Sequence, residues 1–201
     1  MKKIILVGGG GHCLSCVDVI ESEGIFEIEG IVLPTLENSK PVLDYPVIGT
    51  NENLPELLKQ TSNILICDGQ ITNSEIRKKH FEFLKKLGAN FPIIRSPNAY
   101  CSLQATLGEG TILMHGSIVN ANAQVGVNCI INSRSVVEHD VKIEDHCHIS
   151  TGSIINGSAK LGMGSFIGSG AIIEEGIEIG KQVIIGAGYT VTKNIPDGLK
   201  Q

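Results

Sequence analysis

The chain has 201 residues, 42% of them hydrophobic and 18% charged. That composition suits a globular protein of one large or two small domains and excludes a disordered one. A net charge of −5 without a long basic run disfavours a nucleic-acid partner, and no apolar stretch nears the roughly 20 residues that span a bilayer.

Met1-Lys2-Lys3 and the apolar Ile4 to Val7 are too short a run for a secretion signal and end in four glycines, Gly8 to Gly11. They read as a buried first strand, Lys3 to Val7, entering a Gly8-Gly9-Gly10-Gly11-His12 turn. A helix follows, with Leu14, Val17 and Ile20 on one face. Cys13 and Cys16 lie on this helix, and no second Cys pair completes a zinc site, so both are expected to be small apolar packing residues. The six cysteines are expected to be reduced thiols of a cytoplasmic protein. Further strands are predicted over Ile28 to Leu33 and Asn63 to Cys67, and an amphipathic helix over Ile76 to Leu87. Alternating strands and helices imply a small parallel, Rossmann-like sheet. Ser96-Pro97 marks a boundary, giving an N-terminal domain over 1–95 and a second domain over 96–201.

The glycine loop can cradle phosphates at a helix N-terminus. It is not the dinucleotide fingerprint. Counting Gly8 and Gly10 as the first two glycines, the third falls on Cys13, and Leu33-Pro34-Thr35 stands where an acidic residue would close the second strand. A nucleotide or nucleotide-sugar site is therefore expected, and NAD is not.

The second half is governed by a period of six. Stepping by six from Leu107 to Val191 meets fifteen residues, and all are Ile, Leu or Val. The position two before each is usually small, as at Ala105, Ser117, Ala123, Cys129, Ser135, Cys147 and Ser153. The position after is often Gly or Asn, as at Gly108, Asn120, Gly126, Asn132 and Gly162, which is expected to serve corners of positive φ. A period of six fits neither an amphipathic helix nor a hairpin sheet. It fits a left-handed parallel β-helix, in which three hexads close a triangular coil of 18 residues and about five coils stack. The interior of such a prism is too narrow for rings, which accounts for an aromatic content of 4%. Cys129 and Cys147 are 18 apart and are expected to pack in adjacent coils.

Departures from the small polar corners are the candidate sites. The strongest is Glu138-His139-Asp140, followed by His146 and His148. An imidazole beside a carboxylate is a general-base arrangement, because the carboxylate fixes the tautomer and raises the basicity of the far nitrogen. Gly157 lies 18 after His139, so its backbone N–H is expected one coil away, placed to hold an oxyanion. His115, His139, His146 and His148 would be the ligands of an alternative zinc site, but their spacing is irregular and no pair is 18 apart. No metal is expected. His146 is expected at the surface, His115 without an evident partner, and His80 solvated on its charged helix.

The Lys3-to-His12 opening, Cys67-Asp68-Gly69, the block from Ile131 to Asp140 and the hexad repeat together resemble the bacterial sugar acetyltransferases of the sialic-acid O-acetyltransferase and bacillosamine-pathway N-acetyltransferase type. The resemblance covers nearly the whole chain. It implies a homotrimer with active sites between subunits and acetyl-CoA as co-substrate. It implies that His139 is the general base and that Asp140 raises its basicity. His148 and Gly157 would contact acetyl-CoA, with Ser169 and Ala187 along the CoA arm. Gly10, Gly11 and His12, with Gly69 nearby, would hold the nucleotide sugar, and Asn132 would lie near the sugar. Two departures matter. Leu33-Pro34 replaces the usual acidic residues, which affects the nucleotide. The chain stops at Gln201, where the family continues into a Gly-x-Pro-Ala tail, so the CoA pocket is expected to be altered there.

The expected function is N-acetylation of a nucleotide-linked deoxy-aminosugar. O-acetylation of a sialic-acid-like sugar needs the same base and stays open. Rivals of other classes are a zinc-dependent hydratase and a structural trimer without activity.

Overall fold

The computed structural model describes residues 1–36 and 40–201. The N-terminal part comprises β1 (Lys2–Val7), α1 (Gly11–Glu23), β2 (Phe26–Leu33), β3 (Val47–Thr50), α2 (Leu54–Leu57), β4 (Ile64–Ile66) and α3 (Glu75–Lys86). Its four strands are parallel, in the order β3-β2-β1-β4. β1 is central because Ile4 to Val7 form an unbroken apolar run, buried on both sheet faces. α1 ends at Gly24, whose φ of +67° makes a left-handed cap. Its buried stripe is Cys13, Cys16, Val17 and Ile20, spaced i, i+3, i+4, i+7. Leu14, expected on that face, is 45% exposed, and the small apolar cysteines take its place. β3 and α2, each four residues long, escape the sequence reading.

From Ile94 onward the chain winds as a left-handed prism of three parallel sheets carrying six, six and five two-residue rungs. Each rung pairs with the one 18 residues on, as in Ile130 with His148, Val136 with Ile154 and Lys142 with Lys160. The winding starts two hexads before Leu107, at Ile94–Arg95 and Tyr100–Cys101. The second residue of each later rung points inward, and the interior cluster is aliphatic with Ala and Cys and holds no aromatic ring. Cys129 and Cys147 stack inside it, both fully buried, and burial pushes the Cys147 thiol up.

The corners correct one expectation. Positive φ does not fall on the residue after the inward one but two further on, at Asn122, Asn128, Arg134, Asp140, His146, Gly152 and Ser158. Glycine directly after the inward residue answers a different need, the close approach of stacked coils. A Cβ at Gly108 would lie 2.5 Å from the Gly126 carbonyl carbon, and one at Gly162 would lie 2.5 Å from that of Gly180.

The outward residues make three unlike faces. Ile112 and Ile130 pack with Ile94 and Met114 against Cys13, Cys16, Val17 and Ile20 of α1, so this is the domain face. Arg77 of α3 is buried between the two parts, donating to the carbonyls of Ile66, Asp68 (3.2 Å) and Asn128 (3.2 Å). Thr106, Gln124, Lys142, Lys160 and Glu178 form a polar solvent face. Tyr100, Ile118, Val136, Ile154 and Ile172 form a third face, apolar and only partly buried, with no cover among the described residues. We call it the bare face. No helix among the described residues is long and apolar enough to cross a membrane.

Candidate active site

At the corner between the bare and solvent faces, the chain turns through Glu138-His139-Asp140 directly after the inward Val137. Asp140 takes a φ of +62°, which a short polar side chain tolerates. The turn leaves the His139 side chain 57% exposed, with Nδ1 donating to Asp140 Oδ2 at 2.9 Å. That bond makes Nε2 the nitrogen with the free lone pair. The hydrogen bond to Asp140 raises the His139 pKa above its ordinary value, and the charges of Asp140, Glu138 and Glu175 add to it. Asp140 is held below the usual carboxylate range, first by a hydrogen bond from Asn122 and then by His139. Glu138 Oε2 accepts from Asn120 Nδ2 at 2.8 Å.

One coil on, Gly157 lies directly under the imidazole. A Cβ there would stand 2.7 Å from His139 Cε1 and 2.8 Å from Nε2, so a larger residue would displace the ring. The Gly157 N–H has no hydrogen-bond partner among the described residues.

A second cluster surrounds His148, which points out from the domain face and is 6% exposed. Its Nδ1 donates to the Gln70 carbonyl at 2.6 Å, and its Nε2 accepts from Asn132 Nδ2 at 3.1 Å. Burial pushes its pKa down to about 4, so the ring is neutral near pH 7 with both nitrogens engaged. The Phe166 ring stands edge-on at 5.2 Å and His12 is 6.4 Å away, centroid to centroid. His12 Nε2 lies 3.4 Å from Cys16 Sγ, and a Cβ on Gly69 would touch His12 Cβ at 3.7 Å. Gly10 and Gly11 open onto a cavity of about 470 Å³, lined also by Leu33, Lys40 and Val42. Ser169 and Ala187 lie on later coils at the corner between the domain and bare faces. Ser169 Oγ is 3.0 Å from Ser150 Oγ, and the Ala187 amide closes on Gly168.

The residues singled out thus fall into two groups. His139, Asp140 and Gly157 meet at one corner. His12, Gly69, Asn132 and His148 meet at the domain face, with Gly10 and Gly11 on the adjoining loop. Within one chain the groups are separated by the prism, because the corner that carries His139 is the one opposite the domain face. A groove of about 990 Å³ runs along the solvent face beneath Asn194 to Asp197 and contains neither histidine.

The other histidines differ from expectation. His146 is buried, not surface-exposed, with Asn128 3.0 Å from Nδ1 and the Phe81 ring edge-on at 5.4 Å. His115 has two partners, Ser96 Oγ at 2.6 Å and Asp18 Oδ2 at 2.7 Å. His80 is bound to Asp68 at 2.6 Å and is largely covered. Asp18 lies 97 residues from His115, beyond any local pattern, whereas Asn128 lies 18 before His146, at the spacing of one coil. Among the described residues no group of three or more His, Cys, Asp or Glu is disposed to hold a metal. Three residues at the clusters escape the sequence reading. Asn120 and Asn122 lie 18 before Glu138 and Asp140, and the coil repeat points to them; no pattern points to Gln70.

Comparison with known proteins adds to this geometry. Residues 3–84 match the family model of the PglD N-terminal domain, and residues 159–193 match that of the hexapeptide repeat of succinyl-transferase. The search of curated proteins found no significant match. Among solved structures, the chain is similar to PerB from Caulobacter crescentus, in complex with CoA and GDP-perosamine. The identity is 30%, all of this chain and 93% of that one are covered, and the TM-score is 0.91. It is also similar to the acetyltransferase domain of PglB from Neisseria gonorrhoeae, in complex with acetyl coenzyme A. There the identity is 29%, the coverage 99% of this chain and 95% of that one, and the TM-score 0.91. With near-complete coverage at this identity, the chain belongs to the hexapeptide-repeat sugar acetyltransferases of the bacillosamine-pathway N-acetyltransferase type.

Proposed function

We propose that this protein transfers the acetyl group of acetyl-CoA to the amino group of a nucleotide-linked deoxy-aminosugar, with His139 as general base. The carrying observation is the His139 imidazole, tied to Asp140 through Nδ1, free at Nε2 and seated on Gly157. The two similar structures bind CoA with GDP-perosamine and acetyl coenzyme A, respectively, which supports an amino acceptor and an acetyl donor.

The amine lone pair attacks the thioester carbonyl carbon, and the carbonyl electron pair moves to oxygen. The Gly157 N–H is placed to hold that oxyanion. His139 Nε2 takes the proton released by the nitrogen and returns one to the departing CoA sulfur as the intermediate collapses. A base whose pKa lies near the working pH suits both steps. His148 is neutral and engaged at both nitrogens, so it serves as a fixed polar wall and not as a base.

The site is a composite of two subunits of a homotrimer in this reading. The bare face is apolar, and its two bounding corners carry the two halves of the chemistry. If three copies turn their bare faces to a common axis, the His139 corner of each meets the neighbour's corner bearing Asn132, Ser169 and Ala187. A cyclic arrangement of that kind closes on itself. The neighbour's Gly10-Gly11-His12 loop would then present the nucleotide sugar to His139.

The test is thiol release from acetyl-CoA with a panel of nucleotide-linked aminosugars and their hydroxy counterparts. Turnover on amino acceptors is expected. Release with none of them, or only with hydroxy sugars, would overturn the reading.

A further inference from the structure

Three consecutive coils build the corner around His139, and the first of them carries a residue that the chemistry above does not use. Asn122 occupies the place of Asp140 one coil earlier. Both have left-handed backbone, with φ of +61° and +62°. The Asp140 N–H donates to the Ala121 carbonyl at 3.1 Å, which locks the two corners in register. Across this register Asn122 Nδ2 stands 2.5 Å from Asp140 Oδ1. A carboxylate only accepts, so the amide nitrogen is the donor. The other oxygen, Oδ2, receives His139 Nδ1. Both oxygens of Asp140 are therefore committed, one to each neighbour.

Asp140 needs that second anchor. Its side chain is 48% exposed, so water competes for both oxygens and other rotamers are open to it. We propose that Asn122 is a positioning residue of the active site: it holds the Asp140 carboxylate in the orientation that keeps Oδ2 on the imidazole. The inference rests on the reading of His139 as the base. Asn120 holds Glu138 in a parallel manner, but Glu138 has no hydrogen bond to the imidazole, so the orienting effect passes through Asp140. The charged groups that face His139 are Asp140 and Glu138 on its own coil and Glu175 from the coils beyond.

The residue type serves two demands at once. A left-handed position accepts Gly or Asn at little cost, and of these only Asn donates. Asn122→Gly therefore removes the donor and leaves the backbone unstrained. We expect it to lower kcat severalfold, with the KM for the sugar and the melting temperature unchanged. The acid limb of kcat/KM should move to lower pH, because an imidazole less firmly paired with Asp140 is easier to deprotonate. Asp140→Asn should move the limb in the same direction. In an Asp140→Asn background, Asn122→Gly should add no further loss, as expected of residues acting in series. A wild-type pH profile and kcat in Asn122→Gly would overturn the inference, and so would fully additive losses in the double variant. His139→Ala is measured alongside. If it retains turnover, the base assignment fails and takes this inference with it; if it is inactive while Asn122→Gly is unaltered, only the role of Asn122 fails.

Discussion

His139 and His148 stand nine residues apart, which is half of an 18-residue coil, and the prism places them on opposite sides. His139 sits at an open corner, paired with a carboxylate that raises its pKa. His148 lies beneath the N-terminal domain, where burial lowers its pKa to about 4. The same side chain is thereby held exposed beside a carboxylate in one place and as a neutral, hydrogen-bonded ring in the other. Exposure and the nature of the Nδ1 partner, carboxylate against backbone carbonyl, decide which. Under the proposed function, each of these two places supplies half of a site that a neighbouring subunit completes.

The sharpest way to break this contrast is to remove the exposed ring. His139→Ala is expected to lower kcat by about 10²- to 10⁴-fold, the usual worth of a positioned general base, with fold and assembly intact by circular dichroism and sedimentation. Co-expression of His139→Ala with His148→Gln subunits tests whether the halves meet between chains. Each variant alone should be impaired, and random assembly should rebuild about a quarter of the sites. A mixture no more active than its parents would overturn a site shared between chains.

Gly157→Ala probes the floor under His139 without touching its chemistry. The backbone there is not left-handed, so the added methyl acts through space alone and must push the imidazole aside. A kcat loss of about ten- to a hundredfold is expected from that misplacement, with His139 and Asp140 unchanged in identity. Wild-type kinetics would show that the ring position is unimportant.

The last effect concerns stability and not turnover. The folded-state pKa of His148 lies below its ordinary value of 6.5, at about 4. The unfolded chain therefore binds this proton first, and stability falls as pH drops from about 6.5 towards about 4, by at most on the order of 3 kcal/mol. Urea unfolding of His148→Gln across this range should show a flatter pH dependence than wild type. An identical slope would mean that His148 is not buried neutral.

Much of the scaffold was legible because the hexad repeat is a strictly local signal. Each inward aliphatic residue announces one rung, and a spacing of 18 announces its neighbour. The same ruler placed Gly157 beside His139. It misassigned the left-handed corner position, because glycine is selected for two reasons in this fold. One is positive φ, and the other is contact between stacked coils at Gly108 and Gly162. The Asp18 partner of His115 and the Phe81 ring beside His146 were invisible because they come from the N-terminal part of the chain, far from the repeat.

The sequence by itself determined the prism, the presence of a parallel α/β unit before it, and the corner that carries His139-Asp140. These follow from period, turn residues and adjacency, which need no knowledge of distant contacts. Only the tertiary structure decided that the domain face is covered and the bare face is not, that His148 is neutral and held by Gln70, and that the two clusters lie on opposite sides. Those depend on which surface α1 packs against, and that choice is made by the apolar area of Ile112, Met114 and Ile130 meeting the Cys13, Cys16, Val17 and Ile20 stripe.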